Sequence, residues 1–139
     1  MKQFTDVRHA LRSWMTQYGW VSKLLPFHLY LLFGGIAVIL TDEIIWQLFG
    51  GSFFVLELVR AFAYWAFILG IFLTLISSSI KYLPYGLWLY SIQMLFPFPF
   101  SFFSLPVLVS ALVYGYLGLL AFRYSAIEIE QFDQQKQIN

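Results

Sequence analysis

Glu57 and Arg60 stand three residues apart inside an apolar run, so on a helix they share a face and can pair directly. Charge inside hydrocarbon is costly and usually faces a bundle interior or an aqueous cavity, which makes the pair a candidate proton or ion site, or a buried contact with another subunit. Tyr64 continues the same stripe. The plainer expectation is a structural ion pair in the outer third of a membrane, with Glu57 reaching toward water. Asp42 and Glu43 are adjacent, point in different directions on a helix and do not read as a paired acid and base. Either is expected to meet Arg60 across a hairpin turned at Gly50-Gly51, with solvation at the outer interface as the alternative. Gln93 lies in the middle of a third apolar run, where an amide bonds across helices and extends the seam.

Other chemistry finds little support. The chain has no cysteine, which removes disulfides, a thiolate nucleophile and Cys-ligated metals. Its histidines are His9 and His28, too few for a zinc site of three or four protein ligands. A lone axial haem ligand at His28 has no second ligand or binding motif beside it. Phosphate-binding glycine loops, HExxH and G-x-S-x-G are missing. The expectation is therefore a non-enzymatic protein without metal or cofactor. A lipid-handling enzyme using His28, Asp42 and Glu43 is the residual alternative.

The elements that must position these residues follow from composition. Hydrophobic residues make up 60% of the 139, and charged residues only 11%. Soluble domains carry roughly 45–50% and about 25%, so too few polar side chains are present to cover a water-facing surface. Lipid is the solvent that fits. A net charge of +1 gives no basic field for nucleic acid. The fold expected is an all-α integral membrane protein, a four-transmembrane-helix bundle with an N-terminal amphipathic interfacial helix.

Residues 1–22 place Phe4, Val7, Leu11, Trp14 and Tyr18 on one helical face, with Lys2, Arg8, His9 and Arg12 on the polar surface and Lys23 just before the membrane. Such a helix lies among the headgroups of an anionic leaflet, with Arg8, Arg12, Trp14 and Lys23 at the membrane surface. Packing on a partner, or on the bundle's own end, is the alternative. The membrane domain, 23–124, holds spans near 25–46, 53–77, 82–96 and 105–122. The third is short, roughly 22 Å before Pro97. An aromatic Pro/Phe hairpin at 97–106 follows, sunk in the outer interface or re-entrant. A polar tail occupies 125–139.

Aromatic residues reach 22%; belt positions account for Trp14, Trp20, Trp46, Tyr82, Tyr85 and Trp88. Small residues at steps of three and four on the second and fourth spans (Ala66, Gly70, Ala111, Gly115, Gly118), with Gly34 and Gly35 at the middle of the first, mark faces for close helix packing. Basic residues outside the spans all fall before span one, between spans two and three, or after span four. The positive-inside rule then puts both termini in the cytoplasm, and the expected membrane is of the bacterial inner type.

The function expected is that of an accessory or structural subunit of a membrane complex, with the bilayer and another subunit, or a second copy, as partners. The alternative is a small homo-oligomeric transporter or channel built on Glu57 and Arg60.

Overall fold

The computed structural model describes residues 2–51, 53–98 and 103–138, with helical side chains described from residue 3 to 128. The chain is 88% helical. Its helices are α1 (Lys2–Met15), α2 (Gly19–Leu24), α3 (His28–Phe49), α4 (Phe54–Ile76), α5 (Leu83–Met94) and α6 (Leu105–Ile138), with 3₁₀ turns at Leu25–Phe27 and Ile80–Tyr82.

Among the described residues, three stretches are long and apolar enough to cross a membrane: Gly19–Phe49, Phe54–Ile76 and Leu105–Glu128. The region expected as a further span near 82–96 folds as a 3₁₀ turn and the 12-residue α5. That helix reaches about 18 Å at 1.5 Å per residue, against a hydrocarbon core of roughly 30 Å. Pro97 limits it from behind, because the residue before a proline is pushed out of helical geometry. The hairpin expected at 97–106 lies partly outside the described residues, at 99–102.

The amphipathic N-terminal stretch does not run as one helix. It breaks at 16–18, and Gly19, a poor helix former, opens α2. Pro26 occupies an early position of the following 3₁₀ turn, where a missing N–H costs little. At the other end of α3, Gly50 adopts the left-handed conformation (φ 69°) and donates its N–H to Trp46 O at 2.9 Å, closing the helix before α4. Beyond the apolar part, α6 continues helical through Ile138, across most of the expected tail.

α3 and α4 form one antiparallel pair, α5 and α6 a second, and α3 against α5 joins them. Close approach in the first pair depends on two glycines. A Cβ on Gly35 would sit 2.8 Å from Ala63 O and Phe67 N, and one on Gly70 would sit 2.4 Å from Leu32 N. Leu32, Ile36, Ile39, Ala63, Phe67 and Tyr90 fill the centre between α3, α4 and α5. Met15, Val21, Leu73 and Ile76 pack the N-terminal helices onto the end of α4.

Candidate functional site

The polar seam assembles at the end of the α3–α4 pair near Gly50. Asp42 and Glu43 come from α3, Arg60 from α4 and Gln93 from α5. Arg60 Nη1 donates to Asp42 Oδ2 at 2.9 Å, and Nη2 to Glu43 Oε1 at 2.5 Å. Gln93 Nε2 donates to the same Glu43 oxygen at 3.2 Å. Adjacent carboxylates diverge on a helix, yet both are reached here because the planar guanidinium presents its donors as a fork. Asp42 is fully buried, while the Arg60 side chain is 39% exposed at the rim.

Glu57 does not join this cluster. It lies in the first turn of α4 and is exposed, so the direct Glu57–Arg60 pair expected from their spacing does not form. A carboxylate in the first turn of a helix is favoured by the positive end of the helix dipole. Arg60 turns instead toward α3, where two carboxylates outbid one. Asp42 and Glu43 thus meet Arg60 across the hairpin, both rather than either.

One turn below Arg60, the Tyr64 hydroxyl hydrogen-bonds the Tyr90 hydroxyl. The Tyr90 ring packs against Phe67 at 5.0 Å and edge-on to Tyr114 at 4.8 Å, centroid to centroid. The seam therefore reaches from α3 through α4 and α5 to α6. Tyr90 lies three residues before Gln93, a spacing that places both on one face of α5. Its role as the aromatic hub needed the tertiary contacts to be seen.

A second polar knot ties the opposite end of the bundle. Arg8, expected at the membrane surface, is buried. Its Nε donates to Leu75 O at 2.9 Å, its Nη2 to Ser77 O at 2.6 Å, and its Nη1 to both oxygens of Glu128 at 2.6 and 2.7 Å. The last carbonyls of a helix have no partner within it, and the guanidinium satisfies those at the end of α4 while neutralising Glu128 from α6. Thr5 and Phe4 secure the same junction: Thr5 Oγ1 and Tyr124 Oη are 2.9 Å apart, and the Phe4 ring meets Tyr124 edge-on at 4.9 Å. Arg12 is half-buried; Trp14 and Lys23 are exposed.

The small-residue faces divide. Gly35 and Gly70 carry the α3–α4 contact, whereas a Cβ on Gly34 would meet nothing within 4 Å. Ala66 is half-buried. On α6, a Cβ on Gly118 would press on Trp88 at 2.4 Å, and one on Gly115 would make ordinary contact with Ser91. Ala111 is buried, and its carbonyl accepts from Ser91 Oγ at 2.6 Å; Gly115 O accepts from Trp88 Nε1 at 3.1 Å. Ser91 and Trp88 are three apart on α5, and bond α6 through backbone that small residues leave accessible. Among the described residues no three His, Asp or Glu side chains come together as a metal would need. The chain matches no family model, and no curated protein or solved structure is similar to it.

Proposed function

We propose that this chain is a non-enzymatic integral membrane protein of four helical crossings, the third made by α5 with its preceding 3₁₀ turn, serving as an accessory subunit of a larger membrane complex. The four-crossing reading draws on which ends meet. Arg8 from α1, Lys81 from the α4–α5 connection and Glu128 from α6 line one cavity, so the chain returns to the same end after α4 and after α6. With the basic residues gathered there, that end is cytoplasmic. The membrane is of the bacterial inner type.

The observation that carries the subunit reading is α6. Only 11% of its apolar stretch is buried, against 28% and 33% for the other two long spans, and the helix continues past the membrane to Ile138. It holds to its own chain chiefly through α5, leaving Leu112, Val113, Tyr116 and Leu120 facing outward. Meanwhile Asp42, Glu43 and Arg60 are bonded to one another, an arrangement that locks helices together. α6 is then the face that a neighbouring subunit covers.

A homo-oligomeric transporter or channel is the second reading, and one feature favours it. Two carboxylates meet a single guanidinium that is itself at the rim, so a proton or cation from a pathway between copies would balance the cluster. On that reading the ion site is Asp42 and Glu43, not Glu57.

The mass and composition of the particle extracted at native expression level in mild detergent separate the two. A larger membrane protein at fixed stoichiometry is expected. A homo-oligomer with no other component would overturn the subunit reading and direct attention to flux through an Asp42→Asn variant.

A further inference from the structure

We propose that the basic cavity between α1, the α4–α5 connection and α6 is a binding site for a phosphate group, supplied by the headgroup of an anionic lipid. The cavity has a volume of about 130 Å³ and is lined by Arg8, His9, Arg12, Lys81, Ser78 and Glu128, among others. One ordered water needs only about 10–15 Å³ by the same measure, so the space admits a larger group. Among its described lining side chains, the three permanent cations Arg8, Arg12 and Lys81 face one carboxylate, Glu128.

Those cations are not equivalent. Arg8 is fully engaged by Glu128, Leu75 O and Ser77 O, and forms a fixed wall. Among the residues whose side chains are described, neither Arg12 nor Lys81 pairs with a carboxylate. They approach the cavity from different elements, α1 and the turn before α5, so a ligand between them gains two charge-assisted bonds that neither element makes alone. Ser78 adds a hydroxyl at the rim.

A second cavity of about 250 Å³ adjoins the first, with Arg12 and Ser78 common to both, and runs toward Ser22 and His28. His28 is buried. Its Nδ1 lies 2.5 Å from Leu25 O, which makes Nδ1 the N–H donor there, and its Nε2 has no hydrogen-bond partner among the described residues. Polar capacity therefore continues inward from the phosphate position, as a headgroup carrying hydroxyls beyond its phosphate would use.

Depth identifies the source. The cavity sits where α4 ends and the turn before α5 begins, level with the start of α3, and headgroup phosphates lie at such helix ends. Trp14 and Trp20, each 53% exposed, flank this end, as interfacial tryptophans do. The site rests on the membrane assignment and is independent of whether the protein is a subunit or a transporter.

Native mass spectrometry of the full-length protein in detergent, titrated with phosphatidylglycerol or phosphatidylcholine, tests the site. One retained phosphatidylglycerol per chain is expected, in preference to phosphatidylcholine. Arg12→Gln and Lys81→Gln should each weaken retention by about tenfold and Lys23→Gln, outside the cavity, by less than about twofold. Diffuse attraction to a basic surface would instead cost about fivefold for every cation alike, and equal losses across the three variants would overturn the site. Arg12→Lys should retain binding, and unchanged helicity of each variant excludes unfolding as the cause. If inorganic phosphate at millimolar concentration displaces the lipid with the same dependence on Arg12 and Lys81, the phosphate chemistry stands and the lipid source falls. No preference between the two lipids would refute the proposal.

Discussion

Gly34 and Gly35 are neighbours in the middle of the same helix, yet an added methyl group should have opposite consequences at the two. At Gly35 a Cβ would lie 2.8 Å from Ala63 O and Phe67 N and 2.9 Å from Phe67 Cβ, where ordinary contact begins near 3.4 Å. Two of those atoms are backbone, so no rotamer change relieves the overlap and α3 must move from α4 by about 0.6 Å. A gap of about 0.5–1 Å forfeits a quarter to a half of each dispersion contact, and overpacking of this kind costs about 1–3 kcal/mol. At Gly34 the methyl meets nothing within 4 Å. The gain in helix propensity, about 1 kcal/mol relative to glycine, is common to both sites and cancels when they are compared. Gly35→Ala should therefore be about 1–3 kcal/mol less stable than Gly34→Ala, roughly 5- to 150-fold in the folding equilibrium. Reversible unfolding in mixed micelles, followed by tryptophan fluorescence, measures the difference. Equal stabilities, or Gly35→Ala as the more stable variant, would refute the claim that α3 and α4 meet backbone to backbone.

Three substitutions at charged groups should separate in the same way. Arg60→Gln removes the cation shared by two carboxylates, one of them fully buried, and should cost about 1–3 kcal/mol in the same assay. That is below the roughly 3–5 kcal/mol of a fully buried pair, because Arg60 is partly exposed. Glu57→Gln removes only an exposed carboxylate at a helix start and should cost at most about 1 kcal/mol; comparable losses from both would contradict the seam. Arg8→Gln takes the guanidinium from Glu128, Leu75 O and Ser77 O and should speed amide exchange in α1 at least about tenfold, as loss of a buried pair predicts. Exchange at the centre of α3 should not change, and an unchanged α1 would show that the knot does not hold it.

The steps from Phe4 to Trp14 mark an N-terminal helix, and α1 spans Lys2–Met15. A helical wheel puts Arg8 on the solvated surface, because it sorts residues by polarity alone. The carbonyls that draw Arg8 inward, Leu75 O and Ser77 O, lie at and just beyond the end of α4, nearly seventy residues away, and no local pattern shows where a distant helix ends. Glu57 and Arg60 posed the same difficulty: spacing permitted their pairing, but Arg60 chooses among all carboxylates within reach, and the hairpin brings it two better ones. Gly34 and Gly35 were indistinguishable by spacing, since which face of α3 meets α4 depends on the crossing geometry.

By itself, the sequence determined the solvent and the main helices. Sixty per cent hydrophobic residues and 11% charged ones leave lipid as the medium, where backbone groups must bond within each segment and so form helices. Those are local requirements, met residue by residue. Tertiary structure alone decided the partners of each charge and the division of glycines into contact and surface. Each is settled by the direction of a side chain relative to a helix distant in sequence, and that direction exists only once the helices have packed.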